Sequence, residues 1–372
     1  MLRLALIADC HVGNHARFGG PITAGLNLRC RIILDSIRKA AWLAADTRSE
    51  LVILGDLFDT VTPTPQIVAA VGDALTRVSH VHMLVGNHDQ VSLLNGDHAL
   101  GPLSKMPNVT VYQSPDIMYA GTEEVWFVPF RPGDARAWLP GVLADLEAAA
   151  DLVHRGVDAH RLEGRILALH LGLERAEIAP FMKGHYDAIP IGQLDELCKQ
   201  FSITHVFAGN WHSRWEGRGP KSRAYLMQVG TLAPTGWDNL GARNYGTVAL
   251  FSQGDVEIEE VVGPRFLTVK SDDDLAAAFL LREQHHVFVR EFVADGRFPC
   301  PADEAKKFAG YEVARDKQET TIAVRTAATV ARSASTMDEA LVGFIAEMGL
   351  EDGIDRSAVL AQAKLYLAKE TS

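Results

Sequence analysis

Cysteine is scarce in this chain: four in 372 residues, Cys10, Cys30, Cys198 and Cys300, with no C-x-x-C pair. No disulfide framework can be built from that spacing, and a reducing, cytoplasmic setting is expected. Long apolar runs are missing as well. The first, Leu4 to Ala8, stops at Asp9. It is too short for the core of a secretory signal and far too short to span a membrane. No later stretch reaches spanning length without charges, so no membrane partner is expected. A basic excess is also absent. Lys and Arg number 36 against 47 Asp and Glu, a net charge of −11, and the first 264 residues and the remainder are each acidic. A protein that grips duplex DNA mainly by neutralising phosphates should be basic. Any nucleic-acid contact here must therefore be local, metal-assisted or shared with a partner. There is no internal repeat and no low-complexity tract. What remains is a globular composition, 47% hydrophobic and 22% charged, long enough for one large domain and a small one.

Short apolar runs ending at polar or glycine-rich corners recur. Leu2–Ala8 ends at Asp9, Leu51–Leu54 at Gly55-Asp56, Val81–Val85 at Gly86-Asn87, Ile166–Leu169 at His170, and His205–Ala208 at Gly209. Runs of this length read as buried strands. Asn27–Thr47, Pro65–Ser79 and Asp134–Arg155 repeat apolar residues at helical spacing, the second opening on a helix-compatible proline. Strand alternating with helix predicts a layered α/β fold. Ala224–Gln228, Gly246–Phe251 and Val256–Val262 read as consecutive strands of a second, mixed sheet. Pro264 marks an expected boundary, giving a domain over 1–263 and a small α/β appendage over 264–372. Within the appendage Val287–Val293 and Thr321–Val324 read as strands, and Thr336–Met348 and Ser357–Lys369 as helices. The acidic run Asp272–Asp274 reads as a solvated turn.

The polar residues gather at the C-terminal ends of the expected strands: Asp9-x-His11, Gly55-Asp56-x-x-Asp59, Gly86-Asn87-His88-Asp89, His170 and Gly209-Asn210-Trp211-His212. Open α/β sheets place ligands at this edge, where separate strands can converge on one site. Carboxylate, imidazole and amide oxygen together suit Mn, Fe or Zn better than Ca or a thiolate-bound metal. An ionised aspartate can offer one oxygen to each of two cations, which together polarise a phosphoryl group and activate a shared water. Each fragment alone is common; all five, in order and each at a strand end, are not.

In these motifs the chain resembles the calcineurin-like metallophosphoesterase superfamily over roughly residues 1–262. Ala8-Asp9-Cys10-His11-Val12-Gly13, Gly55-Asp56-Leu57-Phe58-Asp59-Thr60 and Gly86-Asn87-His88-Asp89 are most similar to the SbcD-type nuclease subunits of double-strand-break processing and to phage recombination endonuclease subunits. The resemblance implies a four-layer α/β/β/α sandwich of two mixed sheets with a small C-terminal cap. It implies two divalent cations, Mn²⁺ first, with Mg²⁺, Fe²⁺ or Zn²⁺ as alternatives. Asp9, His11 and His212 would hold one cation, Asn87 and His170 the other, and Asp56 would bridge them. His88 would face the scissile phosphate and stabilise the transition state or protonate the leaving oxygen, with Asp89 orienting its loop. The nucleophile would be a metal-activated hydroxide, without a covalent intermediate. The branch also implies DNA as substrate, an SbcC-like ABC-type ATPase as partner, and a homodimer formed near Ser92–Met106. One position departs from the pattern: Asn210 stands where the branch carries an imidazole. Either the second cation binds more weakly or arrives with substrate, or the amide ligates with little loss.

Beyond the motifs, Arg214–Arg243 holds five cations (Arg214, Arg218, Lys221, Arg223, Arg243) against two anions, interleaved with Trp215, Tyr225, Trp237 and Tyr245. Such a margin can stack bases and hold phosphates, or be an ordinary packed and solvated edge. Arg17, Trp211, Arg214 and Trp215 are the substrate-facing candidates, with His15 a weaker one. Rival activities are a phosphatase, a nucleotide phosphodiesterase, and a catalytically weak DNA-end-binding scaffold. Ser/Thr phosphatases of this superfamily follow the Gly-Asp-x-x-Asp motif with arginine; here Thr60-Val61-Thr62 follow.

Overall fold

The computed structural model describes residues 2–91, 97–154, 164–175, 183–237, 245–261, 263–293 and 299–314. Strand β1 (Arg3–Ile7) buries every side chain after Arg3, as a continuous apolar run does when both sheet faces are covered. Helix α1 (Leu28–Asp46) follows. Its cap is Asn27, whose side-chain oxygen accepts from the Cys30 amide and satisfies a donor that the first turn leaves free. Next come β2 (Glu50–Ile53), α2 (Pro65–Leu75), β3 (Val81–Leu84) and β4 (Val109–Tyr112). The four strands lie parallel and side by side in that order. The expected helix to Ser79 ends at Leu75. The Asn108 amide donates to the carbonyls of Leu75 and Val78, replacing bonds that a further turn would make.

The chain then builds a second sheet. Its elements are β5 (Asp116–Ala120), β6 (Glu123–Val128), α3 (Ala135–His154), β7 (Gly164–His170), a short pair β8 (Gly172–Glu174) and β9 (Ala188–Pro190), α4 (Ile191–Gln200), β10 (Ile203–Gly209), β11 (Trp215–Arg218) and β12 (Tyr225–Gln228). The order is β11-β12-β10-β7-β6-β5, parallel within and antiparallel at both edges. Finally β13 (Thr247–Ser252) and β14 (Asp255–Glu260) return to the first sheet, antiparallel beside β1.

Three apolar clusters make the layers. Ile33, Ile37 and Val71 of the first helices pack on Ile7, Ile53 and Met83. Leu4, Leu6 and Val52 face Phe127, Ile166 and Phe207 between the sheets. Leu139 and Leu143 of α3, with Leu194 of α4, cover Trp126, Leu167 and Val206. This is the four-layer α/β/β/α sandwich of two mixed sheets that the resemblance implies. Strand periodicity produces it: alternate side chains of one strand serve two different cores.

A three-stranded sheet comes next: β15 (Pro264–Val269), parallel to β16 (His286–Phe292), with β17 (Gly310–Ala314) on its far side and α5 (Asp272–Leu281) across it. The expected acidic turn at Asp272–Asp274 is instead the first turn of α5. Ser271 and Asp274 close a capping box there, and carboxylates beside a helix N-terminus are stabilised by its dipole. By its contacts the chain forms one compact unit of Met1–Glu291 with Phe298–Val313, and a second of Phe292–Arg297 with Ala314–Ser372. The strand expected at Thr321–Val324 and the helices at Thr336–Met348 and Ser357–Lys369 lie outside the described residues. Among the described residues no helix is long and apolar enough to cross a membrane.

Candidate metal centre

The C-terminal ends of β1, β2, β3, β7 and β10 meet at one edge of the sandwich. Hydrogen bonds run there both within the first sheet and between the two sheets. The Asp9 amide donates to the Gly55 carbonyl, the Asn210 amide to Asp9 Oδ1 at 2.9 Å, and His170 Nδ1 to the Leu54 carbonyl at 2.6 Å. The last bond fixes the His170 tautomer, leaving Nε2 as the nitrogen free to ligate.

Backbone conformation aims the side chains. Asp9, His11, Asp56 and Asn210 have φ of 50°, 47°, 50° and 81°, the left-handed region that costs a non-glycine residue about 1–3 kcal/mol. Close approach does the rest. A Cβ on Gly55 would overlap the His170 ring, and one on Gly86 would overlap the Asp56 carboxylate and amide. Gly86→Ala is therefore expected to lower stability by about 1–3 kcal/mol and to cut bound metal and turnover together. Parental metal content and activity in that variant would show that the loop has room to spare.

Several of the candidate donors lie close together. His11 Nε2 lies 3.0 Å from His212 Nε2, and Asp9, His11 and His212 form one group whose donor atoms lie within 4.8 Å of one another. Asp9, Asp56 and His170 form a second such group. Asn87 Oδ1 is 2.9 Å from His170 Nε2. Asp56 Oδ2 stands between the halves, 3.9 Å from His11 Nε2 and 3.5 Å from His170 Nε2. Its Oδ1 accepts from the His88 amide at 2.8 Å.

The electrostatics call for a cation. Asp9 is fully buried and its Oδ2 has no hydrogen-bond partner, a costly state for a carboxylate oxygen. Burial pushes its carboxyl up. It pushes the His11 imidazole down to about 3, outweighing the attraction of Asp56. His170 goes the other way. Burial opposes its charge, yet the Asp56 carboxylate, by charge and hydrogen bond, and then Asp9 lift it to about 9. Burial would raise Asp56 too, but His170, His11 and His88 hold it well below the carboxylate range. The field between Asp56 and His170 thus draws in a proton, and a metal ion would satisfy the same field. Neutral imidazoles, buried carboxylates and an amide oxygen form a donor set that fits divalent transition metals.

His88 is exposed. Its Nδ1 donates to the Asp59 carbonyl at 3.3 Å, and its ring meets the His11 ring edge-on at 4.8 Å. Asp89, expected to orient the His88 loop, is completely buried. Its Oδ2 accepts from the amides of Leu57 and Gly86, and its Oδ1 from that of Phe58. It is a positioning residue that ties the β3 loop to the β2 loop. Burial, then the Asp56 charge, raise its carboxyl to about 7. Asp89→Ala strands three buried amides and is expected to cost about 3 kcal/mol or more. Urea denaturation checks this; a loss under about 0.5 kcal/mol would mean that water takes over those bonds.

The expectation that Trp211 meets substrate is corrected by its burial. The indole packs on Ala188 and against Gly172, where no Cβ would fit. The other three candidates hold internal partners. Arg17 pairs with Glu312 and stacks on Trp237. Arg214 pairs with Glu260 at 3.2 Å. Trp215 is partly buried, with the Arg175 guanidinium over its ring. In the basic margin Lys221 pairs with Glu196, and Arg243 lies outside the described residues. The Asn210 side-chain amide donates to the Asp187 carbonyl at 3.2 Å. Three contributors carried no assigned role in the sequence reading. Asp59 lies within 4.8 Å of both His11 and His88 and faces His15 at 3.6 Å. Buried Thr231 donates to the Asp9 carbonyl, and buried Gln228 to the carbonyls of Ala208 and Gly209. The Asp59 motif spacing was visible; Thr231 and Gln228 sit in no recognisable pattern.

Two sheets delivering this donor set to one edge define a metal-dependent phosphoesterase, a hydrolase of ester bonds. The chain belongs to the calcineurin-like phosphoesterase family, whose model matches residues 2–214. A comparison of the sequence with curated proteins finds no match. Similar solved structures include a dimetal phosphatase from Danio rerio (14% identity, TM-score 0.44, covering 62% of this chain and 87% of that one). Another is the purple acid phosphatase PPD1 of yellow lupin (13%, 0.45, covering 70% and 51%). A third is TT1561 of Thermus thermophilus (13%, 0.41, covering 70% and 98%).

Proposed function

We propose that this enzyme is a DNA nuclease of the SbcD type, cleaving phosphodiesters with two divalent cations, Mn²⁺ first among them. The observation that carries the reading is the make-up of the chain just after Asp59. Thr60, Val61 and Thr62 stand at the exposed end of the second motif, where the Ser/Thr phosphatases of the superfamily carry arginine. A phosphomonoester dianion gains more from an added cation beside the metals than a diester monoanion does. The candidate arginines Arg17 and Arg214 are already engaged by Glu312 and Glu260, which also favours the less charged substrate.

Two bound cations would withdraw charge from the phosphoryl oxygen and make water a competent nucleophile near neutral pH. The chain's own residues have distinct parts. Asp9, His11 and His212 hold one side of the centre, Asn87 and His170 the other, and Asp56 joins them. Asp56 also fixes the His88 loop through the His88 amide. Because His88 Nδ1 donates to the Asp59 carbonyl, Nε2 is the nitrogen that meets the phosphate. As imidazolium it donates to a phosphoryl or leaving oxygen. Asn210, held by Asp187, offers its amide oxygen as the substitute for an imidazole.

An SbcC-like ATPase and a second copy of this chain are the proposed partners. Light scattering at micromolar concentration tests the dimer, and a monomeric mass removes it. Activity is tested on end-labelled single- and double-stranded DNA with Mn²⁺, Mg²⁺ and Zn²⁺, beside bis-p-nitrophenyl phosphate and p-nitrophenyl phosphate. Metal-dependent DNA cleavage is expected, with the diester turned over at least about tenfold faster than the monoester. The reverse preference, with intact DNA, would overturn the nuclease reading and leave a phosphatase.

A further inference from the structure

The outer face of α1 carries a cavity of about 450 Å³, lined by charged side chains and an indole and closed on its other side by the turn after α5. Arg38, Lys39 and Trp42 line it from the helix, and Arg282, His285 and His286 from the turn. Positions 38, 39 and 42 share a helix face by the three- and four-residue spacing of neighbours. None of these residues belongs to the metal centre. The N-terminal end of α1 adjoins the centre, where Asn27 bonds Asn14 and His15. Its other end meets the start of β1, where Arg3 donates to the Thr47 carbonyl.

The cavity is cationic in an acidic protein. Of its two carboxylates, Asp35 and Glu283, the first is already bound by Arg38 at 2.6 Å. Burial, then Arg265, Lys39 and His286, hold the His285 imidazole below its ordinary value, with no acid acting against them. Nδ1 of His285, which lines the cavity, is buried without a hydrogen-bond partner, a cost that an incoming hydrogen-bonding group would remove. Trp42 is 55% exposed, although the fold has apolar cores to receive such a ring. An indole beside several cations is the pairing that stacks a base while holding its phosphate, and the volume lies in the range of small-ligand sites.

We propose that this cavity binds a phosphate-bearing nucleotide, its phosphate against Lys39, Arg282 and His285 and its base against Trp42. The nucleotide is either free or one unit of a single strand. The two sources present the same chemistry.

Calorimetry on the full chain in EDTA tests the site, with deoxyadenosine monophosphate, deoxyadenosine, inorganic phosphate and a short oligothymidylate as probes. The monophosphate is expected to bind. Lys39→Glu and Arg282→Glu should each weaken it by about tenfold, a change of about 1.4 kcal/mol. Trp42→Ala should weaken the monophosphate but leave inorganic phosphate unchanged. Asp56→Asn should leave the cavity's affinity intact, and Lys39→Glu should leave hydrolysis of bis-p-nitrophenyl phosphate intact. Tighter binding of the oligonucleotide, in competition with the monophosphate, assigns the strand; tighter binding of the monophosphate assigns the free nucleotide. No binding, binding untouched by Lys39→Glu and Trp42→Ala, or binding lost in Asp56→Asn would each overturn the proposal. The last outcome would place the ligand at the metal centre.

Discussion

Replacing Asp56 with alanine is expected to slow hydrolysis of bis-p-nitrophenyl phosphate by about a thousandfold or more, and to lower bound metal in the same preparation. The carboxylate has three tasks at once. Oδ2 lies between His11 and His170, Oδ1 holds the His88 amide, and its charge sustains the cationic field at His170. Removing it takes away the carboxylate between His11 and His170 and leaves Asp9 as the remaining acid of both donor groups, so the two halves of the centre lose their shared ligand. Asparagine keeps the hydrogen bond to His88 but not the charge. Asp56→Asn should therefore fold with an ordered His88 loop and still lose activity, which separates the ligand role from the structural one. Metal analysis by mass spectrometry, with circular dichroism as the check on folding, reads both variants. Parental turnover in Asp56→Ala would end the two-cation mechanism.

His88→Ala is the second large effect, and it should differ in kind. The ring is exposed and meets the centre through the edge contact with His11, the bond to the Asp59 carbonyl and its place beside the Asp59 carboxylate. Truncation leaves no buried group stranded, so stability should change by under about 0.5 kcal/mol and metal content should stay at the parental level. The rate should still fall by about 10²–10⁴-fold, the range of a positioned acid or transition-state donor. The loss should shrink on a substrate whose leaving group needs no proton, such as a nitrophenolate ester, compared with DNA. An equal loss on both substrates would assign His88 to charge stabilisation at the phosphoryl oxygen, and no loss on either would remove it from the mechanism.

The two variants together test how ligand and proton-handling duties are divided between loops. Asp56 sits on the β2 loop and His88 on the β3 loop. Asp89 and Gly86 keep those loops in register, the first by accepting three amides and the second by leaving space where a side chain would collide.

Much of this was legible in the chain itself. Apolar runs ending at Asp9, Gly55-Asp56, Gly86-Asn87, His170 and Gly209 mark strands buried on both faces, because only such strands lack the alternation of a half-exposed sheet. The ligands follow from residue type and from their place at strand ends. Where polar residues interrupt the pattern, the signal fades. β5 (Asp116–Ala120) holds no fully buried residue, and its short apolar stretch Ile117–Ala120 ends at no polar strand-tip motif that would single it out. Asp272–Asp274 looks like a turn until Ser271 is seen capping it.

The sequence alone determined the class of chemistry, the strand framework and most of the donor set, since these depend on local pattern and residue identity. Only the tertiary structure decided which side chains share a space. It turned Trp211 and Asp89 inward, gave Arg17 and Arg214 carboxylate partners, brought Asp59 beside His11 and His88, and recruited Thr231 and Gln228 as supports. Burial and pairing depend on residues far apart in the chain, and no local pattern records which of them will meet.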